Sequence, residues 1–482
     1  MGNGVMMQYF EWYLDNKKHL WTTLKDDAKH LKDIGITAVW MPPAFKGIGG
    51  MNDVGYGVYD IYDLGEFYQQ GTIRTKYGTK DEYLLAIQSL HHYGLYVYGD
   101  IVLNHKMGAD GVEVVKAHEV NQINKNEMIS PEETIVVPTL FTFPHRKNKY
   151  SDFIWNWKCF DGIDYDMKTK RHATFLFKDK NWDQEVDDEN GNFDYLMGAD
   201  IDFSYLPVLK ELDRWGKWYL DMTHLDGFRL DAIKHISAHF YKNWIQKLRE
   251  YSKKELFTVG EYWHGDVQHL LHYLKQVHHE ISLFDVPLHY RFYEISHANG
   301  QFDLRTIFDN TLVQCDSAHA VTFVDNHDTQ PSQGLQSWIE EWFKPLAYTL
   351  ILLRKDGYPC VFYGDYYGIP YSHIPAKRDL LDQLLFLRKN YAIGHQYDYF
   401  DHPDIIGWVR NGHTSSALVC IMSDSTGGQK YMYVGKEYAQ CFYVDVLNNI
   451  QQEVLIDENG YGCFICDGGS VSIYLVKGVY NG

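Results

Sequence analysis

The chain has 482 residues and a mass of 56.4 kDa, enough for a sizeable buried core and up to three domains. Hydrophobic residues make up 45% and charged residues 23%, ordinary globular usage that excludes wholesale disorder. A formal charge of −19 at pH 7 repels phosphate backbones and anionic lipid, and no apolar run reaches the roughly 20 residues of a spanning helix, so nucleic acid and membranes are poor partners.

Short runs rich in β-branched and aromatic residues predict strands at Met6–Trp12, Ile36–Met41, Tyr96–Leu103, Gly227–Asp231, Phe257–Glu261, Ile281–Val286, Ala320–Asp325 and Cys360–Gly364. Amphipathic segments such as Lys80–Tyr93 and Tyr241–Lys253 lie between them. This alternation is that of an α/β fold, and eight strands suit a (β/α)₈ TIM barrel. The third and fourth strands are separated by a long stretch in which Tyr150–Asp202 carries Trp, Asp and Gly without helical period, so an irregular β-rich insertion is expected there. From about Ala392 the pattern turns to alternation, in Ser416–Met422, Lys430–Val434 and Cys441–Val446, and an Asn459-Gly460 hairpin then leads to Ser470–Val476. The tail reads as a C-terminal antiparallel β-sandwich. The expected division is a barrel over 1–103 and 206–391, an insertion over 104–205 and a sandwich over 392–482.

Seven scattered cysteines, an odd number, read as reduced thiols and favour the cytoplasm. The Met1–Trp12 segment lacks a basic-then-apolar signal design, although a secreted protein whose signal has been removed would look the same. The one close pair, Cys463 and Cys466, has no second pair or histidine nearby and is read as buried structural thiols.

In a parallel barrel the catalytic groups stand at the C-terminal ends of the strands. Strand three ends Asp100-Ile-Val-Leu-Asn104-His105. Strand four ends Arg229-Leu-Asp231 and continues to Lys234-His235, strand five ends in Glu261, and strand seven ends Asp325-Asn326-His327-Asp328. Acidic strand ends also make helix caps and salt bridges, so each alone is weak. Jointly, Asp231, Glu261 and Asp328 would meet at one rim with His105, Arg229, His235 and His327. Paired carboxylates without a nucleophilic Ser or Cys motif or a phosphate loop suit glycoside hydrolysis. Arg229, two residues before Asp231, points to the same side of the strand and is expected to keep Asp231 ionised.

These four segments resemble the conserved regions of the α-amylase family of glycoside hydrolases. Met7-Gln-Tyr-Phe-Glu-Trp12, Asp53-Val-Gly-Tyr56-Gly, Leu196-Met-Gly-Ala-Asp200-Ile-Asp202, Trp342-Phe-Lys-Pro-Leu-Ala-Tyr348 and Gly468-Gly-Ser-Val-Ser472 extend the resemblance, to the bacterial liquefying and cytoplasmic branch, over essentially the whole chain. The resemblance implies a three-domain, endo-acting enzyme that cleaves α-1,4-glucosidic bonds of starch, glycogen and maltooligosaccharides with retention. It makes Asp231 the nucleophile, Glu261 the general acid/base and Asp328 the carboxylate that binds sugar hydroxyls. It places His105, Arg229, Lys234, His235 and His327 around the cleaved sugar and Tyr56 beneath it. Trp263 is expected to contact substrate, whereas Trp12 and Trp40 are expected to be packing.

Between Asn181 and Asp202 there are eight Asp or Glu residues and no Lys or Arg, a density that is either solvated or neutralised by a cation. The resemblance decides for calcium, held by Asn104, Asp194, Asp200 and the carbonyl of His235, with Asp161, Asp183 and Asp202 as ligands of a further calcium or sodium ion. Ser204 departs from the liquefying pattern at that further site. Asp404 and Asp424 are a candidate site between barrel and tail. A monomer acting on an α-glucan is the expected state. The rivals are a related α-glucosidase or glucanotransferase, or a non-catalytic glycan-binding protein on the same fold.

Overall fold

Eight strands close into a parallel barrel in the computed structural model, which describes residues 3–413 and 415–480. They are β1 (Met6–Gln8), β2 (Ala38–Met41), β3 (Tyr96–Ile101), β4 (Gly227–Leu230), β5 (Phe257–Gly260), β6 (Ser282–Phe284), β7 (Ala320–Phe323) and β8 (Tyr358–Phe362). Each pairs with its neighbours in sequence, and β8 closes on β1 through Met6 opposite Cys360. The barrel expectation is therefore met, with shorter strands than the pattern predicts. The apolar runs continue past the ladder because Phe10 and Val102, for example, are buried beneath the loops that leave its rim. Val286 belongs instead to the helix Val286–His297, which Asp285 caps by accepting from the Leu288 N–H at 3.1 Å. Gly364 likewise falls in the helix Tyr363–Tyr367.

The two named helices form with small shifts. Lys80–His92 starts at a Thr79/Glu82 capping box, and Ala238–Ser252 begins before the predicted Tyr241 and stops where Lys253 turns left-handed at φ 59°. Between β3 and β4 lies a four-stranded antiparallel sheet in the order Glu133–Leu140, Gly111–Glu119, Arg171–Phe177, Gly162–Asp166. A short pairing of His105–Lys106 with Ala199–Asp200 ties the end of this insertion to the segment leaving β3.

The tail has a six-stranded antiparallel sheet facing a two-stranded one, Gly427–Tyr433 with Tyr461–Asp467. Its inner core includes Val419, Ile421, Met432, Phe464 and Tyr474, while Trp408, Cys420, Met422 and Ile473 join the barrel's core. The Asn459-Gly460 hairpin needs correction. Val454–Leu455, before it, pairs with Phe442 and Tyr443 in the larger sheet, so the turn carries the chain from one sheet to the other. The cysteine reading also changes. Cys466 is buried but Cys463 is exposed, because residues three apart on a strand point to opposite faces. All seven thiols are free.

Gly227 starts β4 with no room for a side chain, since a Cβ would lie 1.9 Å from the Phe257 carbonyl oxygen of β5. Gly227→Ala should cost about 1–3 kcal/mol by forcing the two strands apart. Thermal unfolding measures the loss, and a variant as stable as the parent would show that β4 tolerates displacement.

Candidate active site

β3, β4 and β5 lie in a register that sets Arg229 opposite Asp100 on one side and Val259 on the other. Arg229 is fully buried, and its guanidinium meets three carboxylates. Nη1 donates to Asp100 Oδ1 at 2.9 Å and to Asp231 Oδ1 at 2.6 Å, and Nη2 makes an ion-pair contact with Glu261 Oε2 at 2.8 Å. Asp100 also accepts from Trp40 Nε1 at 3.0 Å and from the Tyr56 hydroxyl at 2.9 Å. Directly after Asp231 the chain takes a left-handed turn at Ala232, φ 50°, and the Ala232 N–H donates to Glu261 Oε2 at 3.3 Å. A non-glycine residue in that region carries strain that the surrounding ladder must hold.

Burial governs the protonation of this group. It pushes Asp231 up to about 6 against the opposing pull of Arg229, so the expected ionising effect of the arginine is present but outweighed. At neutral pH Asp231 is still mostly ionised. Burial also raises Glu261, with the Asp231 charge adding to it and Arg229 opposing. Asp328 lies well above the usual carboxylate range because of burial and then the Glu261 charge. The histidines are held neutral by the same desolvation. His235 is pushed down to about 3, and His105 and His327 are also lowered.

Asp231, Glu261, Asp328, Tyr56, His105, Lys234, His235, Trp263 and His327 all line one cavity of about 680 Å³. Arg229 is the predicted residue that does not, because it forms the floor behind the carboxylates. Glu261 Oε1 and His105 Nδ1 are buried in its wall without a hydrogen-bond partner among the described residues. His105 Nε2 donates to the Tyr56 carbonyl at 2.8 Å, and Gln8 Nε2 donates to His327 Nδ1 at 3.0 Å, which leaves the His327 proton on Nε2, 3.3 Å from Asp328 Oδ2. The Asn326 side chain orients the Asp328 loop by accepting from the Asp328 and Thr329 N–H groups at 2.8 and 2.9 Å. Lys234 reaches Glu189 Oε2 at 2.8 Å and the Trp263 carbonyl at 3.2 Å, so it spans two walls of the cavity.

Trp12, read as packing, lines the cavity and stacks parallel to Tyr56 with ring centroids 5.9 Å apart. Its place at the very end of an apolar run was the available signal. Trp40 is buried and does serve packing, with its indole N–H on Asp100. Asp100 is the functional neighbour that sequence reasoning left without a role, since it looks like one more apolar-strand acid until its arginine is placed.

The acidic segment forms a second centre. Asp161, Asp183, Asp194, Asp200 and Asp202 are all buried, and Asp161, Asp183 and Asp202 bring ligand oxygens within 4.8 Å of one another. Asn104 Oδ1, Asp161 Oδ2, Asp183 Oδ2 and Asp200 Oδ2 have no hydrogen-bond partner among the described residues. Burial and then mutual repulsion raise Asp161, Asp194 and Asp200 well above their usual range and push Asp183 up to about 7. Oxygen atoms so buried and under-satisfied fit a hard divalent cation. Asn104 is brought here by the pairing of His105 with Asp200, and its Nδ2 lies 3.4 Å from Asp200 Oδ1. Asp183 N–H donates to Asp194 Oδ2 at 2.8 Å, and Lys180 and Ser204 engage Asp202, so Asp161 and Asp183 keep the freer oxygens of the further cluster. The His235 imidazole turns away, its Nδ1 on the Phe193 carbonyl at 2.6 Å. Asp424, directly after the tail strand Leu418–Ser423, has both carboxyl oxygens buried without a partner among the described residues, and it is pushed up to about 6 by burial and by Asp404 among others.

A family model described as the α-amylase catalytic domain matches residues 21–389. The chain is 52% identical over 480 residues to an α-amylase of Geobacillus stearothermophilus, covering 98% of this chain and 87% of that one. It is 43% identical to the cytoplasmic α-amylase of Escherichia coli (strain K12), covering 99% of this chain and 100% of that one. Among solved structures, an Anoxybacillus α-amylase superposes with a TM-score of 0.66 at 18% identity, over 98% of this chain and 97% of that one, which speaks for the fold.

A cation held by the acidic centre would bind the folded state only, so exhaustive chelation should lower the melting temperature, and readdition of a divalent cation should restore it. In Asp200→Asn the melting temperature should no longer respond. Calorimetry with and without chelator checks this, and an indifferent parent protein would return the segment to a solvated loop.

Proposed function

The chain belongs to the α-amylase family, and from that membership we propose that it hydrolyses internal α-1,4-glucosidic bonds of starch, glycogen and maltooligosaccharides with retention of configuration. The observation that carries this reading is the pair of carboxyls on neighbouring nitrogens of one guanidinium, Asp231 at 2.6 Å and Glu261 at 2.8 Å. Two carboxyls gathered on one guanidinium at the same rim support the pairing of a nucleophile with a general acid, and a separation of about 5–5.5 Å between them is what retention requires.

In this reading Asp231 attacks the anomeric carbon while the bond to the leaving glucosyl oxygen breaks and Glu261 delivers its proton to that oxygen. The glycosyl ester on Asp231 is then hydrolysed. Glu261, now a carboxylate, removes a proton from water, the water oxygen bonds to the anomeric carbon, and Asp231 leaves. Asp328 and the neutral His327 pair to hydrogen-bond the sugar hydroxyls, His105 and His235 line the same sugar, and Tyr56 and Trp263 offer ring faces to it. Arg229 positions the reacting pair by contacting both carboxyls. Product length and the balance between hydrolysis and transfer depend on the outer cavity, so product analysis on amylose, pullulan and maltooligosaccharides separates this enzyme from a glucosidase or a transferase.

For the metal we propose calcium at Asn104, Asp194, Asp200 and the His235 carbonyl, where it would neutralise the acidic wall and tie insertion to barrel. Asp161, Asp183 and Asp202 would hold a further ion, and Asp404 with Asp424 another. The division into barrel, insertion and sandwich at about residues 103, 205 and 391 is likewise our reading. A cytoplasmic, monomeric enzyme accords with seven free thiols and with the E. coli relative's name. No helix among the described residues is long and apolar enough to cross a membrane.

Asp231→Asn should remove nearly all activity, since an amide cannot form the ester, and activity within about tenfold of the parent would sink the assignment. Glu261→Gln should be as severe on glucans but spare substrates with acidic leaving groups, which need no proton. The acid limb of kcat/KM should fall through about pH 6 as Asp231 takes up its proton. A pH profile flat down to pH 4 would show that another group carries the attack.

A further inference from the structure

On the opposite face of the barrel, where strands begin, three side chains that the reaction does not use converge. His279 ends the turn leading into β6, and Asp316 and His319 sit in the turn leading into β7. We propose that His279, Asp316 and His319 form a site for a divalent transition-metal ion of the zinc class, clipping these two turns together.

One donor pair stands at coordination spacing and the other lies slightly inside it. Asp316 Oδ2 is 3.3 Å from His279 Nδ1, and both Asp316 oxygens are 2.9 Å from His319 Nδ1. Zinc–nitrogen and zinc–oxygen bonds of about 2.0–2.2 Å place neighbouring ligands of a tetrahedral ion about 3.3–3.5 Å apart. The three ligand atoms all lie within 4.8 Å of one another, and the two imidazoles approach to 5.0 Å between centroids at 55°. Without an ion His319 Nδ1 shares its proton between the two Asp316 oxygens, and an opening of about 0.5 Å between the ring and the carboxylate brings this pair to the ligand spacing of the ion. Side-chain exposures of 44%, 19% and 28% for His279, Asp316 and His319 leave an open position for water and a path for the ion.

The backbone fixes where these side chains stand. The helix Val267–Gln276 closes with His278 N–H on the Lys275 carbonyl at 3.1 Å and His279 N–H on the Leu274 carbonyl at 2.8 Å, the paired closure in which glycine is the usual left-handed residue. Here His278 and His279 both take positive φ, 53° and 55°. Two successive β-carbon-bearing residues in that region cost conformational energy, and the turn they make is what carries the His279 side chain toward Asp316. The partner turn is equally constrained. His319 N–H bonds the Asp316 carbonyl at 3.2 Å, and the His319 carbonyl accepts from Leu283 of β6 at 2.9 Å, which locks the two turns side by side. The other mixed cluster, Asp187, Asp188 and His269, differs, because groups outside it, the Tyr262 hydroxyl and the Glu189 N–H, already occupy the Asp187 carboxylate.

The test uses the untagged full-length chain with calcium held saturating, so that the acidic centre does not compete. Zinc is titrated calorimetrically and cobalt(II) by its visible absorption. The expected result is one zinc per chain with a Kd of about 10 µM or tighter. Affinity should fall about tenfold or more in His279→Gln and in His319→Gln, and His269→Gln should bind as the parent does. Circular dichroism and glucan hydrolysis in calcium should match the parent for both His279→Gln and His319→Gln, which confirms folding. Binding weaker than about 100 µM, binding that survives in either of those two variants, or binding lost in His269→Gln would overturn the proposal.

Discussion

The catalytic half of this molecule depends on one buried guanidinium. Arg229 has no contact with solvent, and a lone cation there would be untenable, so its charge demands the carboxylates around it. Asp100 from β3, Asp231 after β4 and Glu261 after β5 meet that demand, and three adjacent strands are thereby held in register at their functional ends. The same contacts set the chemistry. Removal from water favours the neutral form of every acid, and the arginine opposes this most directly where its nitrogens touch. Asp231 is therefore raised only to about 6, whereas Asp328, which has no hydrogen bond from the guanidinium, is raised well above the usual carboxylate range by burial and then by the Glu261 charge.

The insertion depends on the barrel in a complementary way. The five buried aspartates of its acidic centre would drive it apart in isolation, and no arginine is placed among them. Lys180 reaches only Asp202. The strand pairing of His105–Lys106 with Ala199–Asp200 brings the acidic cluster against Asn104, which directly precedes a cavity-lining histidine. Any cation that neutralises the cluster thus acts on the wall of the active cavity through two or three residues of backbone, without taking part in bond breaking. The tail contributes a sandwich sheet with two apolar faces, one packed on the smaller sheet and one on the barrel, so its unbroken run Leu418–Met422 is buried on both sides.

The barrel was legible in the linear pattern because each strand is a short apolar run followed by the polar residues of its rim. That period is local, and it survives any detail of packing. For the same reason Asp231, Glu261, Asp328 and their histidines could be named as a group, since strand ends in one closed parallel sheet must share a rim. Strand ends were less legible, because Phe10 and Val102 are apolar for burial under loops and not for pairing, and hydrophobicity does not distinguish the two.

What needed three dimensions was every property that depends on which groups share a volume. Asp100 and Trp12 gain their roles from Arg229 and Tyr56, residues far away in the chain, and no spacing rule connects them. The sign of the Asp231 shift is a contest between desolvation and one arginine, and desolvation is a property of the closed cavity rather than of neighbouring residues. The Asn459-Gly460 turn shows the same limit, since the dipeptide specifies a reversal of the chain but not the sheet that receives the next strand. Residue type and order thus determined the chemistry available at each rim position, whereas charge state, contact and partner were decided by burial and by proximity across the fold.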